Sequence, residues 1–313
     1  MTLTELRYLV TLAREHHFGR AAEKCFVSQP TLSVAIRKLE EELGVALFER
    51  SASEVRPTPV GLQIVAQAQR VLDEAAAIKE LARQGKDPLA GTLRLGVIFT
   101  VGPYLLPQLI PKLHRIAPQM PLIIQENYTA RLSELLKQGE LDVIIVALPF
   151  NEPGVAVLPL YDEPFVVAIP KGHPWESRKS IKGEDLSGED MLMLGTGHCF
   201  RDQVLKVFPA LNRASETAGS MARVLEGSSL ETLRMMVASG AGVTVMPATA
   251  AAAHGGKNAL VRYLPFSRPA PDRRIVLAWR NSFTRTAAVE ALREAVLACN
   301  LPGVEPVQGG RGE

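Results

Sequence analysis

Over the first sixty positions, apolar residues recur at helical spacing. Beyond position 90 they gather in short runs, each followed by another helical stretch. Leu3, Leu6, Leu9, Val10 and Ala13 predict a first helix with one buried stripe. A shorter helix is predicted over Phe18–Lys24, where Ala21 and Ala22 are small enough for close packing. Val27-Ser28 reads as a turn. Ser28 is placed to cap a third helix, with Pro30 in its first turn, where a missing N–H costs nothing. Leu32, Ala35, Ile36, Leu39 and Leu43 form that helix's apolar face, and Gly44 stops it. Val45–Glu49 and Glu54–Thr58 then read as a two-stranded wing.

From Pro59 to Gln84 a long helix is predicted, in which Ile64, Ala68, Val71, Ala75, Ile78 and Ala82 form a heptad seam. Such a stripe fits a helix packed on its own domain or one paired with a second copy. A period near 3.5 residues favours the pairing. Gly85-Lys86-Asp87-Pro88 reads as a hinge.

Strands are predicted at Thr92–Val97, Leu122–Gln125, Asp142–Leu148, Phe165–Ile169, Met191–Leu194, Val243–Met246 and Ile275–Ala278. Helices are predicted at Pro103–Ile116, Ala130–Gln138, Phe200–Val207, Ser229–Ser239 and Thr284–Ala298. Alternation of this kind makes parallel sheets with helices on both faces, and such folds hold ligands at the carboxyl ends of their strands. The last strand and helix are expected to return to the first lobe. Residues after Pro302 read as a disordered tail.

The chain has 313 residues, 47% of them apolar, enough for a small domain plus a larger one. The opening Met1-Thr2-Leu3-Thr4-Glu5 has neither the basic start nor the apolar core of a secretory signal. No apolar run approaches the ~20 residues that span a bilayer, so no membrane partner is expected. Three scattered cysteines, Cys25, Cys199 and Cys299, suit neither a disulfide framework nor a zinc cage. The expected setting is a reducing cytoplasm, with no cofactor and no metal. The adjacent pair His16-His17 does not share a helical face, which disfavours a metal there. Cys25 and Cys299 are expected to be structural.

Charge is informative only locally. Residues 1–60 hold eight bases and eight acids, but residues 14–38 hold five bases and two acids. Phosphate contacts would have to lie at that end of the module. Gln29, Thr31, Ser33, Val34 and Arg37 are left off the apolar face of the third helix, an arrangement that suits a major groove. An ordinary three-helix bundle with solvated polar faces would show the same pattern.

Particular residues separate the two. Phe18-Gly19-Arg20-Ala21-Ala22, Val27-Ser28-Gln29-Pro30-Thr31-Leu32-Ser33, Ile36-Arg37-Lys38-Leu39-Glu40, Leu43-Gly44, Leu47-Phe48-Glu49-Arg50 and Thr58-Pro59-Val60-Gly61 closely resemble the LysR-type regulator family. The resemblance implies that Gln29, Pro30, Thr31, Ser33 and Arg37 face DNA, with Arg50 supporting from the wing. The chain departs from the family at the wing tip, where Ser53-Glu54 stands in place of a frequent base.

A second constellation is Gly197-His198-Cys199-Phe200-Arg201-Asp202-Gln203, which follows a strand and opens a helix. A thiol there lies at the positive end of the helix dipole, with His198 and Arg201 beside it to favour the thiolate. Asp202, one turn on, could accept or relay a proton. Thr100 and Thr129 follow two strands whose ends face one crevice. A thiolate flanked by hydroxyl donors is what cleavage of a peroxide O–O bond requires. The competing reading is an inert buried cysteine, which behaves as a small hydrophobe. Tyr161-Asp162-Glu163-Pro164-Phe165, the Cys199 segment and Ser228-Ser229-Leu230-Glu231-Thr232-Leu233 resemble the hydrogen-peroxide-sensing branch of the LysR-type family. That likeness implies a peroxidatic Cys199 in a pocket of Thr100, Thr129, His198 and Asp202. It also implies a resolving cysteine nine residues later, where this chain has Phe208.

The expected architecture is therefore an all-α winged helix-turn-helix (1–58), a linker and dimerisation helix (59–87), an α/β sensor of two doubly wound, periplasmic-binding-protein-like lobes (88–302) and a tail (303–313). The expected partners are double-stranded DNA, RNA polymerase, further copies of the chain in a tetramer built as a dimer of dimers, and hydrogen peroxide as effector. The alternatives are a regulator whose cleft binds a small organic acid, and a one-cysteine thiol peroxidase. Against the enzyme, the residues before Cys199 lack the Pro-x-x-x-Thr-x-x-Cys pattern of peroxiredoxins.

Overall fold

The computed structural model describes residues 1–50, 55–84, 89–211, 224–253 and 260–307, without the side chains of residues 50, 77, 79–84 and 224–226. The chain divides into two units, Met1–Asp87 with Ser282–Thr284, and Pro88–Asn281 with Arg285–Glu313.

In the first unit, α1 (Leu3–Glu15), α2 (Phe18–Lys24) and α3 (Gln29–Leu43) enclose Leu9, Leu12, Leu32, Ile36 and Leu39, all without solvent contact. The start and stop signals act as expected. Ser28 Oγ accepts from the Thr31 N–H at 3.3 Å, and Gly44 ends α3 at a φ of 69°. The wing is shorter than predicted, with β1 at Phe48–Arg50 and β2 at Val55–Pro57. Its approach is held by Glu40, whose Oε1 accepts from the Leu47 and Phe48 N–H groups at 2.9 and 3.2 Å. Ser53-Glu54 lies outside the described residues.

The long helix α4 (Pro59–Gln84) forms as predicted. Thr58 Oγ1 accepts from the Gly61 N–H at 2.9 Å, and a Cβ at Gly61 would lie 2.1 Å from the Leu47 carbonyl oxygen. Part of the seam is shared with the chain's own domain. Ala68 is buried in the winged-helix core, and Ile64, Val71 and Leu72, partly buried, pack against the same cluster. The first half of the stripe thus packs in part on the chain's own α1. Ile78, beyond the reach of that core, is 71% exposed. The Gly85–Pro88 hinge lies outside the described residues.

In the second unit, β3 (Leu93–Ile98) pairs in parallel with β4 (Leu122–Asn127) and β5 (Val143–Ala147). The connections are α5 (Gly102–Ile116) and α6 (Thr129–Lys137). The second lobe contains β7 (Met191–Leu194) parallel to β8 (Val224–Gly227), with α7 (Cys199–Val207) and α8 (Leu230–Ala238). Its core is built on Phe165, Val167, Ile169, Leu192, Phe200, Leu233 and Met246.

The sheets are not parallel throughout. A 16-residue strand, β6 (Val155–Pro170), runs antiparallel to β9 (Thr244–Pro247), β10 (Val261–Pro265) and β11 (Asp272–Arg280). Only its Phe165–Ile169 portion was expected, because Pro159 and Pro164 interrupt the apolar pattern before it. β11 also pairs antiparallel with β5, and the helix Thr286–Leu297 (α10; α9 is Ala248–Ala252) packs on α5. The chain therefore returns to the first lobe, as expected. The tail prediction is corrected in part. Glu305–Pro306 (β12) pairs with Asp162 and Tyr161 of β6, so residues 303–307 are ordered, while 308–313 lie outside the described residues. Among the described residues no helix is long and apolar enough to cross a membrane.

The two halves of α4 give opposite expectations. Ala68→Glu would force a carboxylate into the winged-helix core and should cost about 3 kcal/mol or more of that unit's stability. Ile78→Glu, outside that core, should cost that unit much less. Equal melting curves for both variants would disprove the packing of α4 on its own domain.

Candidate functional site

Helix α3 exposes Gln29, Pro30, Thr31, Val34, Arg37 and Lys38, with Ser33 half-buried. Helical spacing sets Pro30, Val34 and Arg37 along one face. Short side chains at the N-terminal turn with a guanidinium two turns later present donors, acceptors and charge to a groove. The turn is held close to α2. His17 Nδ1 accepts from the Gly19 and Arg20 N–H groups, and a Cβ on Gly19 would sit 3.6 Å from Gln29 Oε1. Much of the predicted basic end is paired internally: Lys24 reaches Glu15 at 2.6 Å, Lys38 reaches Glu5 at 3.6 Å, and Arg20 donates to the Glu15 carbonyl at 2.7 Å. Arg37 remains exposed on the face of α3. The Arg50 side chain lies outside the described residues.

The second site is a pocket lined by Ile98, Phe99, Thr100, Asn127, Tyr128, Thr129, Gly197, His198 and Cys199. About 10 Å³ of it is open to the centre of a water-sized molecule, room for one such molecule. Three strand-to-helix turns meet here, after β3, after β4 and before α7. Val101, Tyr128 and His198, the capping residues of α5, α6 and α7, make no side-chain capping bonds. At α6 and α7 the partial positive charge of the helix end therefore remains available to an anion, whereas at α5 the Glu126 carboxylate lies against Gly102, with Oε1 2.0 Å from where a Cβ would be. Thr129 Oγ1 is buried with no hydrogen-bond partner. Cys199 is half-buried as the first residue of α7.

His198 is buried against Tyr128, edge to face at 4.8 Å between centroids. Burial lowers its pKa, while a hydrogen bond to the Ser228 backbone acts in the opposite direction. The net depression keeps the ring neutral at neutral pH, so His198 is not the cationic neighbour the sequence suggested. Arg201 does not face the pocket either: its Nη1 donates to the Leu194 carbonyl at 2.8 Å. Asp202 is exposed on α7 and is not among the lining residues. Thr100, Thr129, His198 and Cys199 are thus brought together, and Arg201 and Asp202 are not.

Behind the pocket lies a charged network that sequence reasoning missed. Arg273, on β11, is 1% exposed at its side chain and meets Glu163 of β6, which is 0% exposed, at 2.7 Å. Arg273 Nη1 also donates to Thr100 Oγ1 at 2.8 Å, and Nη2 to the Thr100 carbonyl at 3.0 Å. The guanidinium lies 5.0 Å from the Phe200 ring centroid. Glu163 accepts further from the Thr249 N–H and hydroxyl. One signal was available: alternation run back from Leu277 and Ile275 places Arg273 on the inward face. Because Thr100 Oγ1 accepts from Arg273, its own hydrogen is left for another acceptor.

Neither of the other thiols is among the residues that line the pocket. Cys25 caps the end of α2 in the winged-helix unit and is half-buried, less enclosed than expected because that end of α2 lies at the edge of the core. Cys299 is buried, donates to the Ala295 carbonyl at 3.2 Å, and its pKa is raised by burial. Phe208 is buried, stacked on Phe266 at 5.0 Å, and a Cβ on Gly183 would meet its ring at 2.7 Å. Among the described residues no three His, Cys, Asp or Glu side chains are grouped to hold a metal.

Comparison with known proteins adds the lineage. Residues 3–62 match the bacterial regulatory helix-turn-helix protein, lysR family, and residues 86–299 match the LysR substrate binding domain. The DNA-binding transcriptional dual regulator OxyR of Escherichia coli is 43% identical over 298 residues, 95% of each chain. The hydrogen peroxide-inducible genes activator of Dickeya chrysanthemi is 43% identical over 296 residues, also 95% of each. A full-length OxyR mutant from Pseudomonas aeruginosa superposes with a TM-score of 0.79 at 54% identity, covering 96% of this chain and 99% of that one. A Corynebacterium glutamicum OxyR mutant in hydrogen-peroxide-bound form gives a TM-score of 0.62 at 34% identity, covering 95% and 91%. With both domain models matched and such identity along nearly its whole length, the chain belongs to the LysR-type family of DNA-binding transcriptional regulators, among its OxyR members.

Proposed function

We propose that this chain regulates transcription in the cytoplasm as a sensor of hydrogen peroxide, with Cys199 as the reacting group. The observation that carries the reading is the pocket, which places a thiol, two hydroxyls and a neutral imidazole around space for one very small molecule. In the reaction the Cys199 thiolate attacks one peroxide oxygen and the O–O bond breaks. Sulfur is oxidised to a sulfenic acid, and the departing hydroxide takes a proton to become water. The helix ends favour the anion, and Thr100 and Thr129 offer hydrogens to the peroxide oxygens. His198, donating one ring nitrogen to the Ser228 backbone, keeps the other as an acceptor for the thiol proton.

The sulfenic acid has no neighbouring thiol to close on. It persists, or a small external thiol condenses with it to a mixed disulfide and water. The organic-acid alternative is disfavoured by the relatives, which are hydrogen peroxide-inducible activators. A thiol peroxidase is disfavoured by the relatives, which are regulators.

On the output side, Gln29, Pro30, Thr31, Ser33 and Arg37 read the groove of double-stranded DNA, Arg50 holds the backbone from the wing, and RNA polymerase is the downstream partner. Homo-oligomerisation, as a tetramer of two dimers, uses the exposed part of α4 around Ile78 together with surfaces of the sensor.

Four outcomes follow. After stoichiometric peroxide, intact-mass and peptide mapping should place one added oxygen on Cys199 ahead of Cys25 and Cys299. A disulfide within one chain between Cys199 and either of them would sink this account. Phe208→Cys should permit a disulfide with Cys199 and a larger change in protease cleavage. Gln29→Ala and Ser33→Ala should each weaken specific DNA binding by about 1–3 kcal/mol, and unaltered sequence preference at fixed salt would move the reading helix elsewhere. In the buried network, Glu163→Leu leaves the Arg273 charge uncompensated and should cost about 3–5 kcal/mol in chemical denaturation.

A further inference from the structure

The DNA-facing surface carries two apolar groups that no hydrogen-bonding or phosphate-binding role explains. Phe26 is 95% exposed, and Val34 is 67% exposed. Phe26 lies two residues before the cap of α3 and adopts a φ of 58°, a conformation bulky residues rarely occupy. Its backbone is nonetheless fixed: the Phe26 N–H donates to the Glu23 carbonyl at 3.0 Å, and the Val27 N–H to the Ala22 carbonyl at 3.0 Å. The turn thus holds an aromatic ring in water at a conformational cost. Val34 sits between Pro30 and Arg37 on the exposed face of α3. Phe26 precedes the cap at Ser28 by two residues and Val34 is the sixth residue of α3, so both lie within a few positions of Gln29, Pro30 and Thr31, which are proposed to face DNA.

The geometry points to Phe26 and Val34 as specificity-determining residues that contact thymine methyl groups. The C5 methyl is the apolar feature of a base-pair edge in the major groove, so a solvent-exposed valine that becomes desolvated against it distinguishes thymine from the other bases. An aromatic ring at the mouth of the same helix suits the same group. The inference rests on α3 as the reading helix.

The test uses the full-length chain. A duplex is selected from a randomised pool at fixed salt. Each of its thymines is then replaced in turn by deoxyuridine, which removes only the methyl. Binding should fall about fourfold for each methyl contacted, the ratio for one buried carbon group. Val34→Ala or Phe26→Ala should abolish that sensitivity at its own thymine and leave the salt dependence unchanged, because no phosphate contact is lost. Gln29→Ala should remain sensitive to deoxyuridine. Phe26→Gly should melt no lower than the parent chain, since glycine accepts the left-handed turn, while still losing the methyl response. Indifference to every deoxyuridine, or a response that survives in both alanine variants, overturns the proposal with α3 reading intact. A pool that yields no enriched sequence overturns both. A change of oligomeric state in the alanine variants, seen by sedimentation, would assign the two groups to a protein contact and overturn it as well.

Discussion

Glu163 and Arg273 form an ion pair with essentially no access to water, on β6, which pairs with strands of both lobes, and on β11, which pairs with β6 and with β5 of the first lobe. Such a pair contributes little net stability relative to apolar residues, because desolvation offsets most of the attraction. It does impose arrangement. Once buried, each charge must keep its partner, and the remaining donors of Arg273 must find acceptors. Thr100 supplies both, through its hydroxyl and its carbonyl. Thr249 satisfies Glu163 from the second lobe. The turn after β3 is thereby tied to strands far away in sequence, and the hydroxyl hydrogen of Thr100 is left to the pocket.

Given that anchor, the electrical character of the pocket follows from backbone rather than from side-chain charge. Arg201 is engaged with a carbonyl, His198 is neutral, and Asp202 stands in solvent. What remains are helix ends without side-chain caps and two hydroxyls. Partial charges of this kind favour a thiolate and a leaving hydroxide without offering a full cation that would attract larger anions. This is the character that the proposed reaction requires, in which a small neutral oxidant becomes charged only as it reacts.

The sequence was informative where local chemistry decides structure. Helices α1 to α4 and the caps at Ser28 and Gly44 were legible because capping, glycine and apolar periodicity act over a few residues. The pocket was half legible. Thr100, Thr129, His198 and Cys199 sit at strand–helix turns that a motif can flag. Phe99, Tyr128 and Arg273 enter through tertiary packing. Arg201 and Asp202 were misplaced because adjacency in sequence does not set direction on a helix: successive residues point about a third of a turn apart. The seam of α4 was legible only in part: a stripe of period 3.5 reports that a face is covered, and along its first half α1 of the same chain supplies cover that the stripe does not reveal.

The distribution of sulfur governs what signal the molecule can make. A disulfide requires two Cα atoms within roughly 7 Å. Cys25 belongs to the winged-helix unit. Cys299 is buried near the end of α10 with its proton on the Ala295 carbonyl. Where a second thiol would be expected, Phe208 stacks on Phe266 and fills the space left by Gly183. Unravelling the end of α7 to deliver that position to Cys199 would expose two aromatic rings, and no covalent bond would compensate for their burial. The segment is thus held by its packing in one arrangement. On the chemistry proposed for Cys199, a change on oxidation would start from what the pocket gains, a single oxygen or a captured thiol, beside Thr100 and Thr129 and the helix ends that meet there.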